Sequence, residues 1–288
     1  MSKKSSYSQD EPKKNKRKLL ISYLNALMIA VTAAVIIVGC GDGRASGDII
    51  MLPAGDTVFE MVFVQRGSFK MGCTERHESD CWSFEKPAHR VTITNGFYIS
   101  KYPITQAQWT AVMGANPSWF NFSRTGADMD SHPVENVSWD DVQEFILRLN
   151  EMSGKFYRLP TEAEWEFAAR GGVKSRGYVY AGSNDVDKVA WWPGNSDNTT
   201  HPVGAKAANE LGIYDMSGNV WEWVSDWYGN YTEKAKTNPT GPPTGSDRVI
   251  RSGSWTGGGA GGCRVSSRLR GAPDFRTGGL GFRLALSP

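Results

Sequence analysis

The hydrophobic positions in the first third of the chain fall in short runs that are typical of β-strands. Phe59–Val64 is rich in apolar residues, Gly67–Gly72 continues it past a turn, and His89–Ile93 alternates apolar with polar side chains. A period of two places every second side chain on the same face of a sheet. We therefore predict strands in this region, and a further apolar strand at Gly281–Leu286 near the C-terminus.

Three later segments combine a helical spacing of hydrophobic residues with start and stop signals. Each begins with Ser or Thr and carries Gln, Asp or Glu three residues later, which is the pattern of a capping box. The capping pairs are Thr105 with Gln108, Ser138 with Asp141 and Thr161 with Glu164, and Gly114, Gly154 and Gly171 follow the helix ends. The third helix also carries Glu162 and Glu166. We assign these acids to capping and to a solvated surface rather than to catalysis.

The N-terminus carries a targeting segment. Residues 1–18 are basic, residues 19–39 are largely apolar, and the run ends in Ile37-Val38-Gly39-Cys40, which resembles a relaxed lipobox. Lipidation of Cys40 is one interpretation. The other is an uncleaved anchor, because about 20 apolar residues can span a bilayer. Both predict a polar tether over residues 40–56 and a folded domain over residues 57–288 that is exported and held at the bacterial cell surface or outer envelope.

Composition adds further constraints. The chain of 288 residues combines 11 Trp with 32 Gly, which favours a loop-rich fold in which large aromatic side chains hold irregular backbone. Its formal net charge of +2 gives no reason to expect a nucleic acid partner. Cys73 and Cys81 lie in a polar loop, and in an exported domain their spacing permits a disulfide. Two free structural thiols are the alternative.

Three motifs in the second half of the chain point to a family. They are Arg-Leu-Pro-Thr-Glu-Ala-Glu-Trp-Glu at residues 158–166, Gly-Ile-Tyr-Asp-Met-Ser-Gly-Asn-Val-Trp-Glu-Trp at residues 212–223, and Gly-Phe-Arg at residues 281–283. Together they resemble the formylglycine-generating enzyme, or sulfatase-modifying factor, family, from about Glu60 to the C-terminus. The resemblance implies an α+β fold with little regular secondary structure, an irregular relative of the C-type lectin fold.

The chemistry of the family's catalytic members depends on residues that this chain lacks. The resemblance implies that those members bind copper through a cysteine pair in the segment that here is Thr256–Gly262, which holds only Thr, Gly and Ala and is followed by the single Cys263. A Cu(I) site needs two soft thiolates, so we expect neither copper nor oxidase activity. The related iron-dependent sulfoxide synthases use a histidine triad. No helical His-x-x-x-His pair occurs among His77, His89, His132 and His201.

The resemblance also implies a structural calcium site. It maps this site onto Asp215, the carbonyls of Gly218 and Val220, and Glu222, and hard oxygen donors on a tight turn suit Ca²⁺. A second calcium site of the family needs an Asn near Ala190, which we do not find. The alternative is that Glu222, between two tryptophans, accepts hydrogen bonds from indole or backbone N–H groups.

The segment Thr256–Gly279 has an unusual composition. It contains no Lys, Glu, Gln, Met or Trp, the residue types whose codons cannot be reached from AAC or AAT by changing adenines alone. Adenine-directed rewriting is how diversity-generating retroelements vary their target proteins. The chain resembles targets of the Treponema variable lipoprotein type, in which such a frame carries a variable repeat at its C-terminus. The alternative is an ordinary glycine-rich loop.

We therefore predict a non-catalytic, surface-displayed lipoprotein whose variable segment, residues 255–283, binds an unknown protein or cell-surface ligand. Leu269 and Phe275 would be exposed apolar anchors on a polar loop, and Trp255 and Phe282 would belong to the core. The predicted ligand contacts are Trp255, Thr256, Gly257, Gly258, Gly259, Gly261, Gly262, Ser267, Leu269, Arg270, Gly271, Ala272, Phe275, Thr277, Gly278 and Gly279. A catalytic member that acts on protein cysteines and a structural component of an envelope complex are the alternatives.

Overall fold

The strands of the protein form three sheets. The computed structural model describes residues 43–74 and 81–288, and Arg44–Pro288 form one unit. The predictions for residues 1–39 and for Cys40 lie outside the described residues. In chain order the strands are Ile49–Ala54 (β1), Thr57–Val64 (β2), Gly67–Met71 (β3), His89–Ile93 (β4), Phe97–Ser100 (β5), Tyr157–Arg158 (β6), Trp221–Trp227 (β7), Lys236–Thr237 (β8), Arg248–Arg251 (β9), Leu269–Gly271 (β10), Leu280–Phe282 (β11) and Ala285–Leu286 (β12).

The sheets join early and late parts of the chain. The five-stranded sheet has the order β1-β2-β5-β12-β6, the four-stranded sheet β10-β9-β7-β11, and the three-stranded sheet β3-β4-β8. The last strand, β12, pairs antiparallel with both β5 and β6, and β11 runs parallel to β7. The C-terminal segment is thus built into two of the three sheets.

Strand β2 carries hydrophobic side chains into cores on both of its faces. Phe59, Met61 and Phe63 belong to one buried cluster, and Val62 and Val64 belong to the other. Because successive side chains of a strand point to opposite faces, both faces of this sheet are covered. Full burial of one such side chain contributes roughly 1.5–3 kcal/mol to stability.

The predicted capping boxes are confirmed at the start of the three long helices. The side chains of Thr105, Ser138 and Thr161 each accept from the backbone N–H three residues later. Gly114 and Gly154 end the first two of these helices in the left-handed conformation. The helices are Gln106–Met113 (α1), Phe122–Thr125 (α2), Trp139–Ser153 (α3), Glu162–Ala169 (α4), Val186–Val189 (α5) and Gly259–Gly262 (α6), with 3₁₀ turns at Ser83–Glu85 and Gly172–Lys174. No helix in residues 43–74 or 81–288 has the length and hydropathy needed to cross a membrane.

The folded unit begins earlier than predicted. Residues 49–54, which we assigned to a polar tether, form β1 and pair antiparallel with β2. The tether prediction is therefore wrong for this stretch. The physical reason is that Ile50 and Leu52 pack against the buried cluster that contains Phe59, so the run contributes apolar surface to the core.

The acids of α4 are a second correction. Glu164 caps the helix and pairs with Arg158 at 2.6 Å, as its position in a capping box suggests. Glu162 and Glu166, however, are only 5% and 0% exposed, so their assignment to a solvated surface is wrong. A buried carboxylate must be paired to be tolerated, and both of these are paired with arginines.

The ion pairs of α4 bring distant parts of the chain together. Arg251 donates to Glu166 at 2.6 Å and to Glu162 at 3.1 Å, and Arg268 donates to both oxygens of Glu162 at 2.7 and 2.8 Å. Glu166 also accepts from Arg170 at 2.8 Å. Burial alone would raise the pKa of Glu166, but the guanidinium groups of Arg170 and Arg251 hold it below its ordinary value.

We expect Arg251→Met to lower the free energy of unfolding by about 3–5 kcal/mol, because it leaves Glu162 and Glu166 buried with one partner fewer. Arg148→Met is the matched control. Arg148 pairs with Glu144 on an exposed face of α3, and such pairs contribute about 0.3–0.5 kcal/mol. Urea unfolding measures both. If both variants lose the same free energy of unfolding, the buried ion pairs of Arg251 are not important for stability.

Candidate ligand-binding surface

The C-terminal segment comes to the protein surface twice between β9 and β11. Residues 256–258 are exposed, and so are Leu269, Arg270, Ala272 and residues 274–277. The predicted contacts Trp255, Gly259, Gly261, Gly271 and Gly278 are half-buried. The structure therefore brings most of the predicted contact residues to the surface in two arcs. The first arc is residues 256–261 and the second is residues 269–278.

Three predicted contacts lie inside the protein instead. Gly262, Ser267 and Gly279 are buried, and Ser267 has no exposed surface. The prediction of ligand contact is wrong for these residues. Gly262 and Ser267 are buried because residues 262–268, between the two arcs, run beneath the surface. Gly279 is buried because it lies next to β11, where its carbonyl accepts from the Trp221 N–H.

Two arginines hold this buried stretch in place. Arg264 pairs with Glu85, whose other oxygen accepts from the Ser266 hydroxyl at 2.6 Å. Arg268 pairs with Glu162 on α4. The carbonyl of Val265 also accepts from Arg251 at 2.8 Å. The positions between the two arcs therefore belong to the frame, even though they lie within the segment of unusual composition.

Trp255 links the two arcs rather than filling the core. Its side chain is half-buried, which corrects the prediction that it is a core residue. Its indole N–H donates to the carbonyl of Gly278 at 2.8 Å, and its ring meets Phe120 edge-on with 5.3 Å between centroids. Phe282, by contrast, is fully buried, as predicted.

The first arc depends on glycine. Gly257, Gly258 and Gly259 have φ angles of 74°, 71° and 53°, in the left-handed region that L-residues enter at a cost of roughly 1–2 kcal/mol. Open space beside Gly257 and Gly259 leaves room for a side chain. Substitution of these glycines therefore carries a backbone cost, and Asn and Asp are the replacements that this conformation favours.

The second arc carries the apolar part of the surface. Leu269 and Phe275 are 37% and 48% exposed, as expected of anchors. Trp119 is 50% exposed and lies beside Gly278, where an added Cβ atom would be 3.2 Å from Cβ of Trp119. Sequence reasoning missed Trp119, although a Trp in the polar run Asn-Pro-Ser-Trp was a signal. We call Thr256–Gly258, Leu269–Gly278 and Trp119 the C-terminal surface.

The contacts of the predicted calcium ligands do not fit a metal ion. Both oxygens of Glu222 accept from Arg283 at 2.8 Å, and one also accepts from the Trp165 indole N–H at 2.7 Å. Asp215 accepts from the backbone N–H of Gly204 at 2.7 Å, and the Gly218 carbonyl accepts from the Ser252 hydroxyl. A calcium ion at Glu222 would face the guanidinium charge of Arg283. Indole hydrogen bonding, the alternative for Glu222, is what the structure contains.

Asp215 and Glu222 are not joined by a third acidic, His or Cys side chain in a metal-binding cluster within the described residues. Burial raises the pKa of Asp215 to about 6, while the Gly204 N–H and the charge of Arg283 act in the opposite direction. Across the described ranges, no three or more His, Cys, Asp and Glu side chains gather as a metal site. Calcium binding stays a prediction that the geometry does not support.

The cysteines of the described residues are not placed for catalysis. Cys73 and Cys81 form a disulfide with 6.1 Å between their Cα atoms. Cys263 is free and fully buried, and burial raises the pKa of its thiol to about 12. Since the thiolate is the reactive form of cysteine, burial keeps this group in its less reactive thiol form near neutral pH. The described cysteines therefore give the C-terminal surface no nucleophile.

Comparisons with known sequences agree with this fold. The family described as Sulfatase-modifying factor enzyme 1-like domain matches residues 50–288. The chaperone protein LppX of Paenibacillus barcinonensis is 34% identical over 247 residues, which cover 68% of this chain and 78% of LppX. The formylglycine-generating enzyme of Streptomyces coelicolor is 37% identical over 203 residues, covering 62% of this chain and 60% of the enzyme.

Solved structures show the same architecture. Treponema denticola variable protein 1 superposes with a TM-score of 0.75 at 31% identity, over 83% of this chain and 99% of that protein. PvdO from Pseudomonas aeruginosa gives a TM-score of 0.70 at 27% identity, over 85% and 100%. The predicted α+β fold of the formylglycine-generating enzyme type is confirmed.

We expect EGTA to leave the melting temperature of the wild-type domain unchanged, because Arg283 occupies the place of a cation beside Glu222. A bound metal would stabilise the fold by about 2.7 kcal/mol at a hundredfold excess over its dissociation constant. Calorimetric melting with EGTA and with added CaCl₂ measures this effect. A drop in EGTA that CaCl₂ reverses would show that calcium binds after all.

Proposed function

Since the chain belongs to the Sulfatase-modifying factor enzyme 1-like domain family, we propose that it is a surface-displayed lipoprotein that binds a ligand through its C-terminal surface and does not catalyse a reaction. The observation that carries this proposal is that the C-terminal segment contains both buried residues that hold it to the frame and exposed residues that face solvent. Its buried residues, such as Arg264 and Arg268, pair with the frame, whereas Leu269 and Phe275 are exposed. Exposed apolar groups on a rigid support are typical of binding sites.

The similarity to a variable protein supports a diversified binding segment. The Treponema protein carries the word variable in its name and shares this fold over nearly its whole length. The segment Thr256–Gly279 lacks the residue types that adenine-directed rewriting cannot produce. The fold and the composition thus both favour a diversified binding segment. A closely similar template repeat beside a reverse transcriptase gene would be the genomic counterpart.

The charges of the C-terminal surface suggest the chemistry of the ligand. Arg270 and Arg276 are 61% and 51% exposed, and their nearest carboxylates, Asp247 and Asp141, lie 3.9 and 3.3 Å away. These loose pairs leave both guanidinium groups able to bind other anions. A protein or other cell-surface ligand with an apolar patch bordered by acidic groups would complement Leu269, Phe275 and the two arginines.

A catalytic role is the second candidate, favoured by the 37% identity to a formylglycine-generating enzyme. The burial of Cys263 and the raised pKa of its thiol argue against it. Copper-dependent oxygen consumption would distinguish this candidate. A structural role in an envelope complex would use the same exposed residues, and stable co-purification with envelope proteins would favour it.

We expect substitutions in the C-terminal segment to separate into two classes. Leu269→Asn and Phe275→Ser should change the free energy of unfolding by no more than about 0.5 kcal/mol, since both residues are exposed. Gly258→Asn should lose roughly 1 kcal/mol because of its left-handed backbone. Phe282→Ala should lose about 3–5 kcal/mol because it is core. A substitution library across residues 256–283, scored by thermal melting, measures all of these.

The same library contains its own control. Buried Ser267 lies between the two arcs and should be as intolerant of large side chains as Phe282. If Leu269 and Phe275 prove as sensitive as Phe282, the C-terminal surface is ordinary structure and the binding proposal fails.

We expect labelled palmitate to enter the full-length protein through Cys40 and Cys40→Ala to abolish the label. The reason is the sequence Ile-Val-Gly-Cys at residues 37–40, which provides the thiol for acylation. Cys263→Ala is the matched control and should keep the label. Equal labelling of the wild type and Cys40→Ala would instead favour another attachment, and an unlabelled wild type would favour the uncleaved anchor.

A further inference from the structure

A buried carboxyl group without a full set of partners lies directly beneath the C-terminal surface. Glu135 has no exposed surface. Its Oε1 accepts from the backbone N–H of Phe120 at 2.7 Å, but its Oε2 is buried and accepts no hydrogen bond from the residues that the structure describes. A buried acceptor that is left unpaired costs about 1–3 kcal/mol, and more when it is charged. Such a group calls for an explanation in terms of function.

The electrostatic surroundings of Glu135 keep it near the balance between charged and neutral forms. Burial raises its pKa to about 7, while the N–H groups of Phe120 and Trp119 and the charge of Arg124 act in the opposite direction. An added hydrogen-bond donor would favour the carboxylate. The group is therefore sensitive to a single new donor.

The open oxygen lies next to one predicted contact position. A Cβ atom placed on Gly278 would be 3.4 Å from Oε2 of Glu135 and 3.2 Å from Cβ of Trp119. Gly278 is not among the residues with positive φ, so a side chain there meets no left-handed strain. The 3.2 Å approach is tight, and Trp119 must shift by a few tenths of an ångström to admit a Cβ atom. The adjacent segment is fixed, because the Asn136 N–H donates to the carbonyl of Thr277 at 2.9 Å.

Access to Oε2 decides which donor can use it. The atom is shielded from solvent, so a group on an external ligand does not reach it directly. A short side chain that grows from residue 278 starts within van der Waals distance of it. The donor that fits is therefore a hydroxyl or amide at position 278.

We propose that Glu135 is a positioning residue of the C-terminal surface, which accepts a hydrogen bond from a short hydroxyl or amide side chain at position 278 and turns that side chain inward. In this chain Gly278 leaves the acceptor open. A donor at 278 would add a side-chain hydrogen bond to the turn whose carbonyl accepts from the Trp255 indole, whereas an apolar residue would not. An effect of this hydrogen bond on ligand choice rests on the proposed binding function. The hydrogen bond between residue 278 and Glu135 does not depend on that function.

The test compares Gly278→Ser with Gly278→Ala, which have the same Cβ and differ in one donor. Carbon-13 NMR should show the Glu135 pKa lower by about one unit or more in the Ser variant, a tenfold change in its acid constant. The Ser variant should also melt at a higher temperature than the Ala variant. This difference in melting temperature is present while the Glu135 carboxyl is ionised, above about pH 7. It is lost as the pH falls through the lowered Glu135 pKa of the Ser variant. In the Glu135→Gln background the difference between Ser and Ala should no longer depend on pH.

Each outcome decides the matter. Gly278→Asn carries a different donor and should lower the pKa of Glu135 as Ser does. Equal Glu135 pKa values in the Ser, Asn and Ala variants would overturn the proposal. So would unfolding of the Ala variant, because position 278 would then have no room for a side chain. Failure of the binding function is a separate result, since it appears in the tolerance of Leu269 and Phe275 and not in the pKa of Glu135.

Discussion

The structure depends on the pairing of buried carboxylates with arginines from the C-terminal segment. A charge that is removed from water must be paired, and removing one partner of such a pair is strongly destabilising. Arg251 and Arg268 meet the acids of α4, Arg264 meets Glu85, and Arg283 meets Glu222. A segment that is rich in glycine has a large entropy to lose on folding. The arginines define its path where hydrophobic packing could not.

This arrangement separates stability from recognition. The arginines fix the chain at both ends of each exposed arc, so the side chains within the arcs contribute little to the core. We therefore expect that Leu269 and Phe275, which are exposed, can change without loss of the frame. The exception lies in the turn at Gly257–Gly259, whose left-handed backbone restricts what can stand there. The first arc is therefore limited by its backbone conformation, and the second arc is crowded at Gly271 and Gly278, where an added Cβ atom would lie 3.1–3.2 Å from its nearest neighbour.

The sequence predicted the features that depend on neighbours along the chain. Capping boxes such as that of Thr161 and Glu164 involve residues three apart, so their pattern is legible without a fold. The burial of Glu162 was missed because its partner Arg268 lies 106 positions away, and a glutamate in the first turn of a helix has the same local pattern whether exposed or buried. Trp119 was missed for the same reason, since only the fold places it beside Gly278. Strand β1 was missed because it follows a polar, glycine-rich stretch.

The calcium prediction shows that the family motifs identify the fold but do not by themselves identify a metal site. The motifs Gly-Asn-Val-Trp-Glu-Trp and Gly-Phe-Arg are separate in the sequence, but β7 and β11 pair in parallel with Glu222 opposite Gly281. The Arg283 guanidinium then closes on Glu222, and Trp165 of the first motif donates to the same carboxylate. The three motifs thus form one buried contact that holds the frame together. Recognition through them establishes the fold, and function must be argued from the exposed arcs that lie outside them.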